Sequence, residues 1–188
     1  SEDLSAFHAE LLLNRRRTNA AFVRHTIGCR ANPQIQNQKY KDTAAGEFDY
    51  VVLPMSWKLF QPEEEAFETK AFDEWAEFLA RRRIPVIVGP LISFSEQDVP
   101  DWMFIWEHDF DTLRELTNEF VRKMVQRYRR TVGAWNVVAG LSTNSVFTLS
   151  FEQMIELTRM LVSQVKTLLP ASKTMITITQ PFGEYHAT

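Results

Sequence analysis

The chain has one cysteine, Cys29, in 188 residues, so no internal disulfide can form and cysteine usage leaves the compartment open. A lone thiol on a strand pattern reads as a small buried hydrophobe rather than a nucleophile. No apolar stretch approaches the roughly 18 residues that a membrane-spanning helix needs, and Glu2 and Asp3 stand where a secretory leader would carry basic side chains. Charge of one sign is not in excess. The 24 acidic and 21 basic side chains are interspersed for a net charge of -3, which leaves no field suited to nucleic acid or a membrane surface. The basic runs Arg15 to Arg17 and Arg81 to Arg83 fall near the ends of expected helices, where cations suit the helix dipole. Phosphate loops of the G-x-G-x-x-G and G-x-x-x-x-G-K-[ST] types, the G-x-S-x-G elbow, and H-x-x-x-H or C-x-x-C spacings are all missing. Nucleotide-binding doubly wound folds, serine hydrolases of that type and zinc sites lose their support accordingly. His108, between Glu107 and Asp109, reads as part of a solvated acidic patch, and neither a cofactor nor a metal is expected.

What is present is an alternation. Hydrophobic residues make up 45% of the chain and charged residues 24%, enough apolar content for one globular core. Leu4, Phe7, Leu11 and Leu12 recur at helical spacing, a strand-like run covers residues 22–29, and a helix is expected over 34–45. Short β-rich runs at 50–53 and 84–88 are stopped by Pro54 and by Gly89-Pro90, as expected of strands buried on both faces in a parallel sheet. Phe72, Trp75, Phe78 and Leu79 form one helical stripe, and Leu113, Leu116, Phe120, Val121, Met124, Val125 and Tyr128 form another. A strand at 134–138 follows. Ser150 and Gln153 then make a capping box for a helix that Pro170 ends, and 174–179 is the last strand. Five strands alternating with helices imply βαβ units. The expected fold is α/β, a (β/α)₈ barrel, which needs roughly 250 residues. The chain would supply about five of the eight units, as one partial barrel domain over residues 1–188 of a longer protein.

Three segments carry a resemblance. Met55, Trp57 and Pro62 match the second-strand motif N-E-M-K-W-x-x-x-E-P of glycoside hydrolase family 10, the xylanase family, with Gln61 a near match. Gly89, Pro100 and Trp102 match its third strand G-H-T-L-V-W-H and the following P-x-W, and Trp135, Val137 and Val138 match its fourth strand W-D-V-V-N-E. The resemblance covers nearly the whole chain and implies a glycosidase-type barrel acting on plant-type polysaccharide, from a mostly secreted family, which points to an extracellular or periplasmic location. It also implies what is lost. The family's asparagine and acid/base glutamate fall on Ala139 and Gly140, its sugar-binding asparagine, glutamate and lysine on Leu53, Pro54 and Ser56, and its third-strand histidines on Pro90 and Ser95. Retaining hydrolysis needs two carboxyls roughly 5 to 5.5 Å apart. Alanine and glycine supply none.

Replacement groups should lie past strand ends, where such barrels place their sites. Glu96 and Asp98 follow the third strand, and Glu184, Tyr185 and His186 crowd the segment after the fifth. Glu184 is the candidate catalytic carboxylate and, with Glu96, Tyr185 and His186, a candidate ligand contact. Trp57, Trp102 and Trp106 are candidate stacking platforms for sugar rings, against a core role that is common for tryptophan. Three functions remain open: a degenerate polysaccharide- or oligosaccharide-binding domain, an active glycosidase completed by further strands with a relocated acid, or a structural scaffold. An incomplete barrel would leave strand edges and apolar faces open, so a C-terminal barrel half or self-association is expected to cover them.

Overall fold

A computed structural model describes residues 2–18, 26–141 and 146–178. A helix, α1 (Glu2–Thr18), precedes an alternation of β1 (Gly28–Arg30), α2 (Gln38–Glu47), β2 (Tyr50–Leu53), the short α3 (Trp57–Phe60) and α4 (Lys70–Arg82). The chain continues through β3 (Val86–Val88), β4 (Ile92–Ser93), a 3₁₀ turn (Asp101–Trp106), α5 (Phe110–Tyr128), β5 (Ala134–Ala139), α6 (Phe151–Leu168) and β6 (Lys173–Thr177). All pairings are parallel: β1 with β2, β2 with β3, β3 and β4 with β5, and β5 with β6. Ile87 lies beside Ala134 and Ile92 beside Val138, so β3 and β4 are two halves of one strand on the same edge of β5. The sheet therefore has five strand positions in sequence order, the winding of a partial (β/α) barrel.

The sequence dictates which face of the sheet is dry. Val51, Leu53, Val86, Val88, Trp135 and Val137 are buried, and Val52, Ile87 and Asn136 between them are half-buried, the period-2 alternation of a sheet with one covered face. Against the covered face pack Phe72, Trp75 and Leu79 of α4, Leu113, Phe120, Val121 and Val125 of α5, and Leu157, Leu161 and Val165 of α6. Each such side chain removed from water contributes about 1.5 to 3 kcal/mol. Side-chain caps fix where helices begin. Asn37 accepts from Tyr40 N and starts α2 at Gln38, later than residue 34, because residues 32–36 form a turn closed by Ile35 N donating to Asn32 O. Asp109 caps α5, and Ser150 with Gln153 caps α6 reciprocally. Arg81 and Arg82 sit in the last turn of α4, whose end is marked by Arg83 at φ 58.

Three expectations change. The first strand is Gly28–Arg30 rather than 22–29, of which 22–25 lie outside the described residues. The stripe Leu4, Phe7, Leu11 and Leu12 of α1 is 49 to 76% exposed, so it is no part of the core. The runs at 50–53 and 84–88, expected to be buried on both faces, alternate buried and half-buried residues within β2 and β3 instead, and between β4 and α5 lies the 3₁₀ turn, which buries Met103. Thr179, expected in the last strand, lies outside the described residues.

Candidate functional site

Parallel strands bring their C-terminal ends to one side of the sheet, and the segments that follow β1, β2 and β3 enclose a cleft of about 530 Å³ there. Its polar lining is Arg30 at the end of β1, Asn32 and Gln34 after it, Ser56 and Glu68 after β2, and Gln97 and Asp98 after the third strand. Met55, Phe60, Phe72 and Pro90 supply the apolar floor. The walls are held by local bonds. Asn32 Oδ1 accepts from Gln34 N at 3.0 Å, and Asn32 N donates to Tyr40 Oη at 3.1 Å. Tyr40 is braced edge-on against Trp75 at 5.6 Å. Ser95 Oγ donates to Asp98 Oδ2 at 2.8 Å, while Lys58 N donates to Asp98 O at 2.8 Å and Lys58 Nζ to Asp101 Oδ1 at 2.6 Å. These contacts stitch the loop after the third strand to α3.

Within the cleft, Arg30 and Glu68 form no ion pair among the described residues, and Ser56 Oγ has no hydrogen-bond partner. One cation, two carboxylates and several amides with free donors and acceptors suit a neutral, hydroxyl-rich ligand, because each hydroxyl both donates and accepts. Cys29 is half-buried on β1, and burial pushes its thiol up, which keeps it protonated and unreactive. No cluster of potential metal ligands occurs among the described residues.

The tryptophans proposed from sequence lie elsewhere. Trp57 is 2% exposed, stacks on Phe120 at 4.9 Å and donates Nε1–H to Gln61 Oε1 at 2.9 Å. Trp102 is half-buried, edge-on to Trp57 at 6.1 Å, and donates to Gln61 O at 3.0 Å. Trp106 is half-buried with its indole N–H enclosed. None of the three lines the cleft, and Trp57 is core. The buried Gln61 ties both of the first two in place and passes its amide to Glu64 O at 2.5 Å. Glu96 is exposed beside the cleft residues Gln97 and Asp98 without lining the cleft. Glu184, Tyr185 and His186 lie outside the described residues. His108 contacts Glu107 at 3.3 Å, and Asp109 is the cap of α5, its carboxyl held below the usual range by hydrogen bonds from Thr112. Of the cleft residues, Asp98 was among the carboxylates expected past the third strand and Ser56 stands where the resemblance sets the family's lysine, while Arg30, Asn32, Gln34, Glu68 and Gln97 were not singled out by sequence. The available signal was position, at or just past the ends of strands, for all but Glu68, which lies between α3 and α4.

The fourth strand position ends at Ala139, and Gly140 after it has φ 72. Asn136, on the same strand, donates Nδ2–H to Thr177 Oγ1 at 2.8 Å.

Comparison with known proteins gives one family: residues 15–153 match the model of Glycosyl hydrolase family 10. No curated protein matches the sequence. Among solved structures, the chain is similar to xylanase 10B from Thermotoga maritima, with 20% identity, a TM-score of 0.64 and coverage of 81% of this chain and 50% of that one. An endoxylanase from a sugarcane soil metagenome is similar at 16% identity, TM-score 0.69, with 81% and 48% covered. A variant of xylanase 10C from Cellvibrio japonicus, in complex with xylopentaose, is similar at 16% identity and TM-score 0.68, with 81% and 34% covered. The chain spans about half the length of the first solved structures it matches.

Proposed function

This chain belongs to glycosyl hydrolase family 10, and on that premise we propose that it is a glycan-binding member that does not hydrolyse its ligand, residues 1–188 acting as one partial barrel domain. The end of β5 carries the proposal. There the resemblance sets Ala139 and Gly140 against the family's asparagine and acid/base glutamate, and Gly140 occupies the left-handed region at φ 72. A glutamate rarely adopts that conformation. The side chain has been lost, and the local backbone now suits glycine. Retaining hydrolysis works through two carboxyls about 5 to 5.5 Å apart, one attacking and one shuttling the proton. Without the second, recognition can persist while cleavage cannot.

Recognition is assigned to the cleft at the ends of the first three strands. Arg30, Gln34, Gln97 and Asp98 would hydrogen-bond ring hydroxyls over the apolar floor of Met55 and Phe60. The xylopentaose held by the Cellvibrio protein makes a xylo-oligosaccharide the ligand class to try first. A rebuilt hydrolase is the second reading, favoured by the two carboxylates, Glu68 and Asp98, on the same cleft.

A glycan array run beside a reducing-sugar assay on the same sample separates the two. Binding without sugar release, weakened about tenfold by Arg30→Ala or Gln97→Ala, is the expected result, each variant removing a hydrogen bond worth about 1.5 kcal/mol. Sugar release abolished by Asp98→Asn or Glu68→Gln would overturn it in favour of the hydrolase. No binding to any glycan sinks both.

A further inference from the structure

One phenol on the wall of the cleft after β1 is held from behind and open in front. Tyr40 lies in the first turn of α2 and lines the cleft. Three contacts fix it in place. Its Oη accepts from Asn32 N at 3.1 Å, its ring stands edge-on to Trp75 at 5.6 Å, and its own N–H donates to Asn37 Oδ1, the cap of α2, at 3.2 Å. Trp75 is in turn fixed, being fully buried and donating Nε1–H to Ile35 O at 3.0 Å. A phenol oxygen has one hydrogen to give and lone pairs with which to receive. At Tyr40 the receiving side is taken by Asn32, and no hydrogen bond among the described residues uses the hydrogen.

We infer that Tyr40 is a ligand-binding residue of this cleft, donating its hydroxyl hydrogen to an oxygen of the bound glycan. The inference rests on the reading of the chain as a glycan-binding member of its family. Ionised Glu68 and Asp98, on the same cleft, only accept, so they hold ligand hydroxyls alone. A phenol hydrogen serves the oxygens that carboxylates cannot, the ring and linking oxygens of a sugar chain, which have no hydrogen to give. Arg30 also donates, but from a long stem with many rotamers. Tyr40 has its place set by Asn32 and Trp75 before any ligand arrives, so little freedom is lost when the bond forms.

Calorimetric titration of the whole chain with xylopentaose tests this. Tyr40→Phe keeps the ring against Trp75 and removes only the hydroxyl, and affinity is expected to fall about fivefold, as for one neutral hydrogen bond. The melting curve should not move, because the bond from Asn32 N is exposed and water replaces it. Xylopentaose should also shift the tyrosine ultraviolet absorption of the parent to longer wavelength, as happens when a phenol donates, and the shift should be missing from Tyr40→Phe. Gln36→Ala controls for a loosened wall. Gln36 Nε2 donates to Pro33 O at 2.7 Å and to Ala71 O at 2.9 Å, tying the same wall to α4 without lining the cleft, and its loss should cost less than about twofold. Equal affinity in Tyr40→Phe and the parent, or an equal loss in Gln36→Ala, overturns the inference and leaves the glycan-binding reading standing. A parent that does not bind xylopentaose overturns it as well, and the glycan array then decides the wider reading on its own.

Discussion

Gly89 shows how much one position can constrain. Its φ is 126, outside the range that side-chain-bearing residues adopt, and a Cβ added there would stand 2.1 Å from the carbonyl oxygen of Asn136 on the neighbouring strand. Around it Gly89 N donates to Leu53 O and Leu91 N to Asn136 O, so the interruption between β3 and β4 is stitched to both neighbours. Gly89→Ala must move backbone, and a loss of about 3 kcal/mol in chemical denaturation is expected. A variant within experimental error of the parent would show that the break between the two half-strands is free to relax. In the sequence, Gly89-Pro90 reads only as the end of a strand. That the strand resumes at Ile92 depends on Val138 across the sheet, a contact that no local pattern contains.

At the scale of elements, α4 and α5 are clamped through one carboxylate. Asp73 accepts from Arg127 Nε at 3.1 Å and from the guanidinium's other end at 2.6 Å, from Tyr128 Oη at 2.7 Å and from Thr69 Oγ1 at 2.9 Å. Burial raises the Asp73 carboxyl, but the bonds from Arg127, Tyr128 and Thr69 outweigh it and hold the group below its ordinary value. Burial, then the neighbouring anion, pushes the Tyr128 phenol well up. Asp73→Asn removes the charge that organises all three donors, and a cost of about 2 kcal/mol is expected. The sign with pH follows from the depressed carboxyl. The folded state binds this proton less readily than the unfolded state, so the stabilisation is fully present at neutral pH and fades as pH falls below about 4. Denaturation midpoints of parent and variant should therefore differ at pH 7 and converge in acid. A gap independent of pH would mean that packing, not charge, does the clamping. Elements such as α5 and α6 were legible because periodicity and caps agree along the chain: the Ser150 and Gln153 side chains cap α6 in space as they do in sequence. The 3₁₀ turn was not. Its buried Met103 and half-buried Trp102 and Trp106 are placed by contacts with distant segments, Trp102 through Gln61 O.

For the whole molecule, the order of strands was legible and the site was not, for one physical reason. A barrel is specified by repeated local units, while a cleft is specified by which loops those units bring together. Trp57 and Trp102 match a motif, and the fold spends them on packing around Gln61. Arg30 and Gln97 match nothing, and the strand ends deliver them to one cleft. On the proposed reading, in which the acid/base carboxyl is missing, one motif is not enough to return catalysis. Restoring Ala139→Asn with Gly140→Glu supplies a single carboxyl, at a backbone whose φ of 72 disfavours it by about 1 to 2 kcal/mol. The double variant is expected to melt lower by several degrees, at about 2 to 4 °C per kcal/mol for a chain of this size, and to release no reducing sugar. Glycan binding in the cleft at the ends of the first three strands should persist, because none of its lining residues is changed. If sugar were released, a partner carboxylate would already stand within reach of position 140, and the chain would be a hydrolase one step from activity rather than a binding member of its family.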